Sequence, residues 1–259
     1  MDWWEALVLG VVQGLTEFLP VSSSGHLQIF GALFGAGGDD HLMFAVVVHA
    51  ATACSTIVVF APEIAALFRG CLRSRRGEEM QYAWKLVLSM IPVGIVGLCF
   101  KEQVEELFST GLALVGGMLL VTALLLAFAC RARSRSRRVG YRDAFLVGVA
   151  QAFAVLPGLS RSGATIATGL LLGIRRESVA RFSFLMVLAP VLGEALLDLL
   201  KGGFASSGIP VASLVAGFIG AFVSGLLACR WMISLVKRGR LLWFAVYCAL
   251  VGGLLIALG

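Results

Sequence analysis

Runs of about 20 apolar residues between short basic clusters govern what this chain of 259 residues can become. At a rise of about 1.5 Å per residue, a helix of that length crosses the hydrocarbon core of a bilayer. Such spans are expected at roughly 42–68, 84–101, 110–130, 179–200, 209–236 and 241–258. Only 14% of the residues are charged, where a soluble domain would carry about 25%. The formal charge of +6 does not indicate nucleic acid, because the basic residues sit between apolar runs and orient the spans. Six scattered Cys without a Cys-x-x-Cys pair read as small buried hydrophobes, not as a disulfide framework or a metal site. Met1-Asp-Trp-Trp-Glu5 lacks the positive start of a cleaved signal, so Trp3 and Trp4 are expected as interfacial anchors.

Two segments are too short and too polar to be spans. Trp3–Leu19 reads as a helix stopped by Pro20, and a second helix is expected from Gly25 to Phe34, followed by a polar loop at 35–40. Two short helices meeting at a polar break suggest a re-entrant hairpin. A second pair is expected over 142–173, broken at Pro157-Gly-Leu-Ser-Arg-Ser-Gly163, while Pro62 and Pro92 mark kinks or ends. The expected fold is therefore all-α and integral to a membrane, with six transmembrane helices and two re-entrant helical hairpins.

In that layout one face collects the basic residues from Arg69 to Lys85, Arg131 to Arg142, Arg175 to Arg181, and Arg230 to Arg240. Only Lys101 and Lys201 fall opposite, so the crowded face is cytoplasmic. The N-terminus, the first hairpin's mouth, Asp39-Asp40 and the C-terminus then face outward. Arg161 belongs to neither face, because it lies inside the second break.

A shift of 138 residues aligns the halves without a gap. Ala6, Gly10, Val11 and Gln13 fall on Ala144, Gly148, Val149 and Gln151; Ser22, Ser24 and Gly25 fall on Ser160, Ser162 and Gly163. Glu5 falls on Asp143 as a near match. An odd number of spans per half gives the halves opposite orientation, an inverted-topology repeat within one membrane domain. The halves run about 1–130 and 140–259, joined by a basic cytoplasmic linker, 131–139. The ionisable groups are divided between them: Glu17 faces Val155, Ser23 faces Arg161, and His26 faces Ala164.

Polar groups inside a bilayer are costly and mark function. Gln13 and Glu17 lie four apart on one helix face. Gly25 and Gly163 follow Ser-rich turns at helix starts, where free N–H groups hold phosphate. Arg161 adds a fork for two phosphate oxygens, and Ser22, Ser23, Ser24, Ser160, Ser162 and Thr165 add hydroxyls. Together these describe a pocket for a strongly anionic group. Ser23 or a water could attack phosphorus, with His26 as general base or acid. Glu17 beside phosphates could hold Mg²⁺ or Ca²⁺, and Arg161 would stabilise the transferred phosphoryl group. His41 and His49 are expected to have ordinary structural roles, and Glu194 and Asp198 to be interfacial.

Gln13-Gly-Leu-Thr-Glu-Phe-Leu-Pro-Val-Ser-Ser-Ser-Gly-His26 and Pro157-Gly-Leu-Ser-Arg-Ser-Gly-Ala-Thr165 resemble the two motifs of the bacterial undecaprenyl-diphosphate phosphatases, the bacitracin-resistance family. The resemblance implies a divalent-cation-dependent enzyme of the bacterial cytoplasmic membrane, acting on its outer, periplasmic side. Its substrate would be a C55 polyprenyl diphosphate lipid, converted to the monophosphate for cell-wall synthesis. It further implies Glu17 as a metal or catalytic carboxylate, Ser23 as candidate nucleophile, His26 as proton-transfer partner and Arg161 as phosphate clamp. Many relatives carry Glu where this chain has Gln13, which leaves Gln13 to orient the ligand. A homodimer is left open. The rival reading is a polyprenyl-phosphate flippase or anion transporter, since inverted repeats with broken helices are also transporter architecture.

Overall fold

Each polar break divides its segment into two short helices, and the long helices pack around them. The computed structural model describes residues 1–33, 39–109, 111–132, 137–200 and 208–258. Most of the loop expected at 35–40 lies outside the described residues. So do Lys201 and the side chains of Asp39, Asp40, His41, Lys101, Glu194 and Asp198. Among the described residues the chain is helical, with a single isolated bridge between Arg137 and Ile174 and no strand.

The first half begins with α1 (Trp3–Phe18) and α2 (Ser23–Leu33), then α3 (Asp39–Val59) and α4 (Ala61–Arg73). It continues through α5 (Glu78–Cys99), the short α6 (Lys101–Ser109) and α7 (Leu112–Arg131). In the second half α8 (Tyr141–Phe153) and α9 (Arg161–Leu171) precede α10 (Arg176–Met186) and α11 (Leu188–Leu200). Two further helices close the chain, α12 (Val211–Lys237) and α13 (Leu242–Leu258).

Four described helices are long and apolar enough to cross a bilayer: α5, α7, the run Arg176–Leu197 and α12. The span expected at 42–68 is not one straight helix. It breaks at Phe60 and turns by 73°, with Pro62 in the first turn of α4, where its missing N–H costs nothing. Counted as one span, the bent pair makes five. α13 is apolar but 17 residues long. Pro92 ends nothing, since α5 runs on through it to Cys99. The outer surface is apolar: on α12, Val211, Val215, Ile219, Val223, Leu227 and Trp231 are all exposed at intervals of one turn. Such a stripe suits lipid and not water. This is a multi-pass membrane protein.

Close helix crossings replace the hydrophobic drive that lipid does not supply. Gly10 of α1 lies against the Gly217 carbonyl of α12, and Gly148 of α8, its match in the repeat, lies against the Ser89 backbone of α5. α7 and α13 cross reciprocally, a Cβ on Gly116 meeting the Gly252 carbonyl at 2.8 Å and one on Gly252 meeting the Gly116 carbonyl at 2.7 Å. The helix starts match as well. Asp2 N–H donates to Glu5 (2.7 Å) and Gly140 N–H to Asp143 (2.8 Å). At one end of the bundle Arg181 bridges Glu63 of α4 (3.0 Å) and Glu177 (2.9 Å), which also takes Lys237 (2.9 Å).

Candidate active site

The first break runs from Leu19, whose extended backbone ends α1, through Pro20 and Val21 to Ser22. Ser22 has φ +69°, a left-handed conformation that an L residue holds only where its surroundings enforce it. The second break passes Gly158 (φ +91°), where a side chain would collide with the Val115 backbone, and ends at Ser160 with φ −68°. The helices after the breaks begin at Ser23 and Arg161, two residues before the glycines expected to open them.

Both helices are capped alike. Gly25 N–H donates to Ser22 Oγ (3.3 Å) and Gly163 N–H to Ser160 Oγ (3.1 Å). Ser22 and Ser24 hydroxyls lie 3.4 Å apart, those of Ser160 and Ser162 3.3 Å apart. The amides of Gly25 and Gly163, expected to be free for phosphate, are therefore taken by the chain's own serines. Helix geometry leaves over the amides of Ser23 and Ser24 and of Arg161 and Ser162. Thr165 donates back to the Arg161 carbonyl (2.9 Å), the ordinary habit of a helical threonine.

The two breaks touch. Ser162 Oγ donates to the Leu19 carbonyl (3.2 Å), and Arg161 Nη2 donates to Glu17 Oε1 in an ion pair. Glu17 Oε2 accepts from Gln13 Nε2 (2.8 Å) and from the Ser23 hydroxyl (2.7 Å). The Glu17 side chain is only 9% exposed, so the carboxylate depends on these partners to remain charged. Gln13 is fully buried, and its Oε1 has no partner among the described residues.

His26 is engaged elsewhere. Its Nδ1–H donates to the Ser22 carbonyl (2.8 Å), so in the neutral ring Nε2 accepts from Tyr247 OH (2.7 Å). The ring stacks on Tyr247 at 5.7 Å and joins α2 to α13. The acceptor beside the Ser23 hydroxyl is therefore Glu17, not the His26 expected from the sequence. The imidazole nearest Glu17 belongs to His49 of α3, with Nε2 3.5 Å from Oε2 and Nδ1–H donating to the Ala45 carbonyl (2.7 Å). Sequence reasoning passed His49 over. The signal was a polar stripe, His49, Thr52 and Thr56, on one face of an apolar helix.

A small cleft, with an enclosed volume of about 20 Å³, adjoins the ion pair. Glu17, Arg161, Ser162, Thr165 and Ser183 line its polar part, and Phe18, Phe184, Val187 and Val191 its apolar part. A polar head joined to a hydrocarbon fits such a lining.

The family of the bacitracin resistance protein BacA matches residues 6–254. The chain belongs to this family. An undecaprenyl-diphosphatase of Bacteroides fragilis is 56% identical over 256 residues, covering 97% of this chain and 96% of the relative. One from Parabacteroides distasonis is 55% identical over 261 residues, covering 99% and 98%. One from Christiangramia forsetii is 51% identical over 254 residues, covering 97% and 96%. The two polar breaks lie within the matched BacA region.

Proposed function

We propose that this chain is a membrane phosphatase that hydrolyses undecaprenyl diphosphate to undecaprenyl phosphate and inorganic phosphate, returning the lipid carrier to cell-wall synthesis. Membership of the BacA family, with undecaprenyl-diphosphatases above 50% identity along nearly the whole chain, carries the reading. It favours hydrolysis over a polyprenyl-phosphate flippase or anion transporter.

The site would work as follows. The terminal phosphate draws Arg161 away from Glu17, and the guanidinium then holds two phosphate oxygens. Glu17, released from its ion pair, accepts the Ser23 proton along the hydrogen bond already in place. Ser23 Oγ bonds to the terminal phosphorus as the bridging P–O bond breaks, and undecaprenyl phosphate leaves. Water then cleaves the phosphoserine: its oxygen bonds to phosphorus as the Ser23 Oγ–P bond breaks, Glu17 returns its proton to Ser23 Oγ, and the water's protons leave with inorganic phosphate. Gln13 holds the carboxylate in line, and the Ser23, Ser24, Arg161 and Ser162 amides face the phosphates. Ser22 and Ser160 shape the two helix starts; Ser162 joins the breaks, and both Ser162 and Thr165 line the cleft.

Among the described residues no three His, Cys, Asp or Glu side chains gather to hold a metal. The donors still fit Mg²⁺ or Ca²⁺ shared with substrate: Glu17 and the unpartnered Gln13 Oε1 are hard oxygens, and phosphates and water would complete the shell. Such an ion would neutralise phosphate charge and ease departure of the leaving group.

The finer layout belongs to the same proposal: six spans and two re-entrant hairpins in an inverted repeat, the site opening to the periplasmic side of the inner membrane. The matched crossings at Gly10 and Gly148 support the repeat. Purified protein with Mg²⁺ or Ca²⁺ should release phosphate from a C55 or C15 prenyl diphosphate. A folded wild type that releases none ends the phosphatase reading.

A further inference from the structure

One hydroxyl in the cleft is unlike the rest. Thr52 donates to the His49 carbonyl (2.8 Å), Thr56 to Thr52 (3.1 Å), Thr165 to Arg161 (2.9 Å) and Ser162 to Leu19 (3.2 Å). Each of these protons is already committed to the backbone. Ser183 of α10 lines the same cleft, is 5% exposed, and its buried Oγ has no hydrogen-bond partner among the described residues. A helical serine in apolar surroundings ordinarily satisfies itself on the carbonyl four residues back, here that of Val179. A desolvated hydroxyl that does not is a net loss to the resting protein. The repeat frame does not require it either, since the matching position in the first half is Ala45.

We propose that Ser183 is a substrate-binding residue whose hydroxyl donates to an oxygen of the terminal phosphate, the group that leaves as inorganic phosphate. This rests on the phosphatase reading and adds a contact from outside both polar breaks. Phosphate oxygens only accept hydrogen bonds at this position, and the one lining hydroxyl with its proton uncommitted is the natural donor. Arg161 supplies the charge and Ser183 a direction, approaching from α10 while the guanidinium approaches from α9. No proton is transferred through Ser183, so it should act on binding more than on the chemical step.

The test compares wild type, Ser183→Ala and Ser183→Cys, the last filling nearly the same volume with a much weaker donor. C15 diphosphate hydrolysis and inhibition by inorganic phosphate are both measured. One charge-assisted hydrogen bond is worth roughly tenfold or more in affinity. Both variants should raise KM and the inhibition constant for inorganic phosphate about tenfold, with kcat within a few-fold of wild type. Their melting temperatures should not fall, because the lost hydroxyl has nothing to hold. Unchanged KM and phosphate inhibition in Ser183→Ala overturn the proposal. So does a wild-type response in Ser183→Cys, which would assign the effect to volume, or a melting temperature lowered by several degrees, which would mean a structural partner. An inactive wild type fails the phosphatase reading instead, and phosphate-induced stabilisation of wild type against Ser183→Ala then decides this proposal separately.

Discussion

The two polar breaks share one construction and differ in two respects. Each ends a short helix, and each caps the next with a serine hydroxyl on the amide three residues ahead, a second serine standing beside it. The first break holds its capping Ser22 at φ +69°, whereas Ser160 of the second is relaxed at −68°. The first also carries the carboxylate and the Ser23 hydroxyl that donates to it, while the second carries the cation. Strain and reactive hydroxyl sit together in one copy, and the other supplies charge from an unstrained frame. A duplicated scaffold has thus been specialised by position and not by rebuilding.

The division breaks most completely at Arg161. Arg161→Ala should lower kcat/KM by about a thousandfold or more in phosphate release, because it removes the clamp and leaves Glu17 buried without its ion pair. Arg161→Lys should recover little, since a point charge does not replace the fork. Wild-type-like turnover in Arg161→Ala would dissolve the idea of a site shared between the copies. Ser23→Ala should cost on the order of a hundredfold to a thousandfold in kcat with the fold intact. Full activity there would leave attack to a water.

Smaller effects sharpen the comparison of the caps. Ser22→Gly relieves a left-handed residue and loses a cap, so its thermal stability should stay level or rise. Ser160→Gly has no strain to relieve and should lose up to about 1 kcal/mol. Equal losses in the two variants, read by thermal unfolding in detergent, would mean that the strain at Ser22 is not real. Tyr247→Phe should lower stability by about 1 kcal/mol through the lost bond to His26, with kcat/KM within a few-fold of wild type. A stable but inactive Tyr247→Phe would return His26 to the chemistry.

Much of this was legible in the residues. Pro20, Pro157 and the Ser-Gly turns located the breaks, and the register of the repeat set Arg161 opposite Ser23. Spacing along a helix reports neighbours on that helix, and it paired Gln13 with Glu17 correctly. Contacts between helices leave weaker traces. His49 reaches Glu17 only because α3 packs on α1, and His26 turns to Tyr247, which lies 221 residues away. The turn at Phe60 was signalled by Pro62, but not its 73°. The missing partner of Ser183 was beyond any pattern, because satisfaction of a hydroxyl is a property of its surroundings.

The ion pair of Glu17 and Arg161 also bears on how the protein is made. The two residues are separated by 144 positions, so during synthesis the carboxylate enters the membrane long before its counter-charge exists. Until then its partners are Gln13 and Ser23 on the same early segment and His49 on α3. The second half arrives with the complementary difficulty, a guanidinium without its carboxylate. Each half is an unfinished electrostatic object, and closing the ion pair completes both at once. Biogenesis of this protein is thereby tied to assembly of its site: a chain whose halves fail to meet remains charged within the bilayer and exposed to quality control.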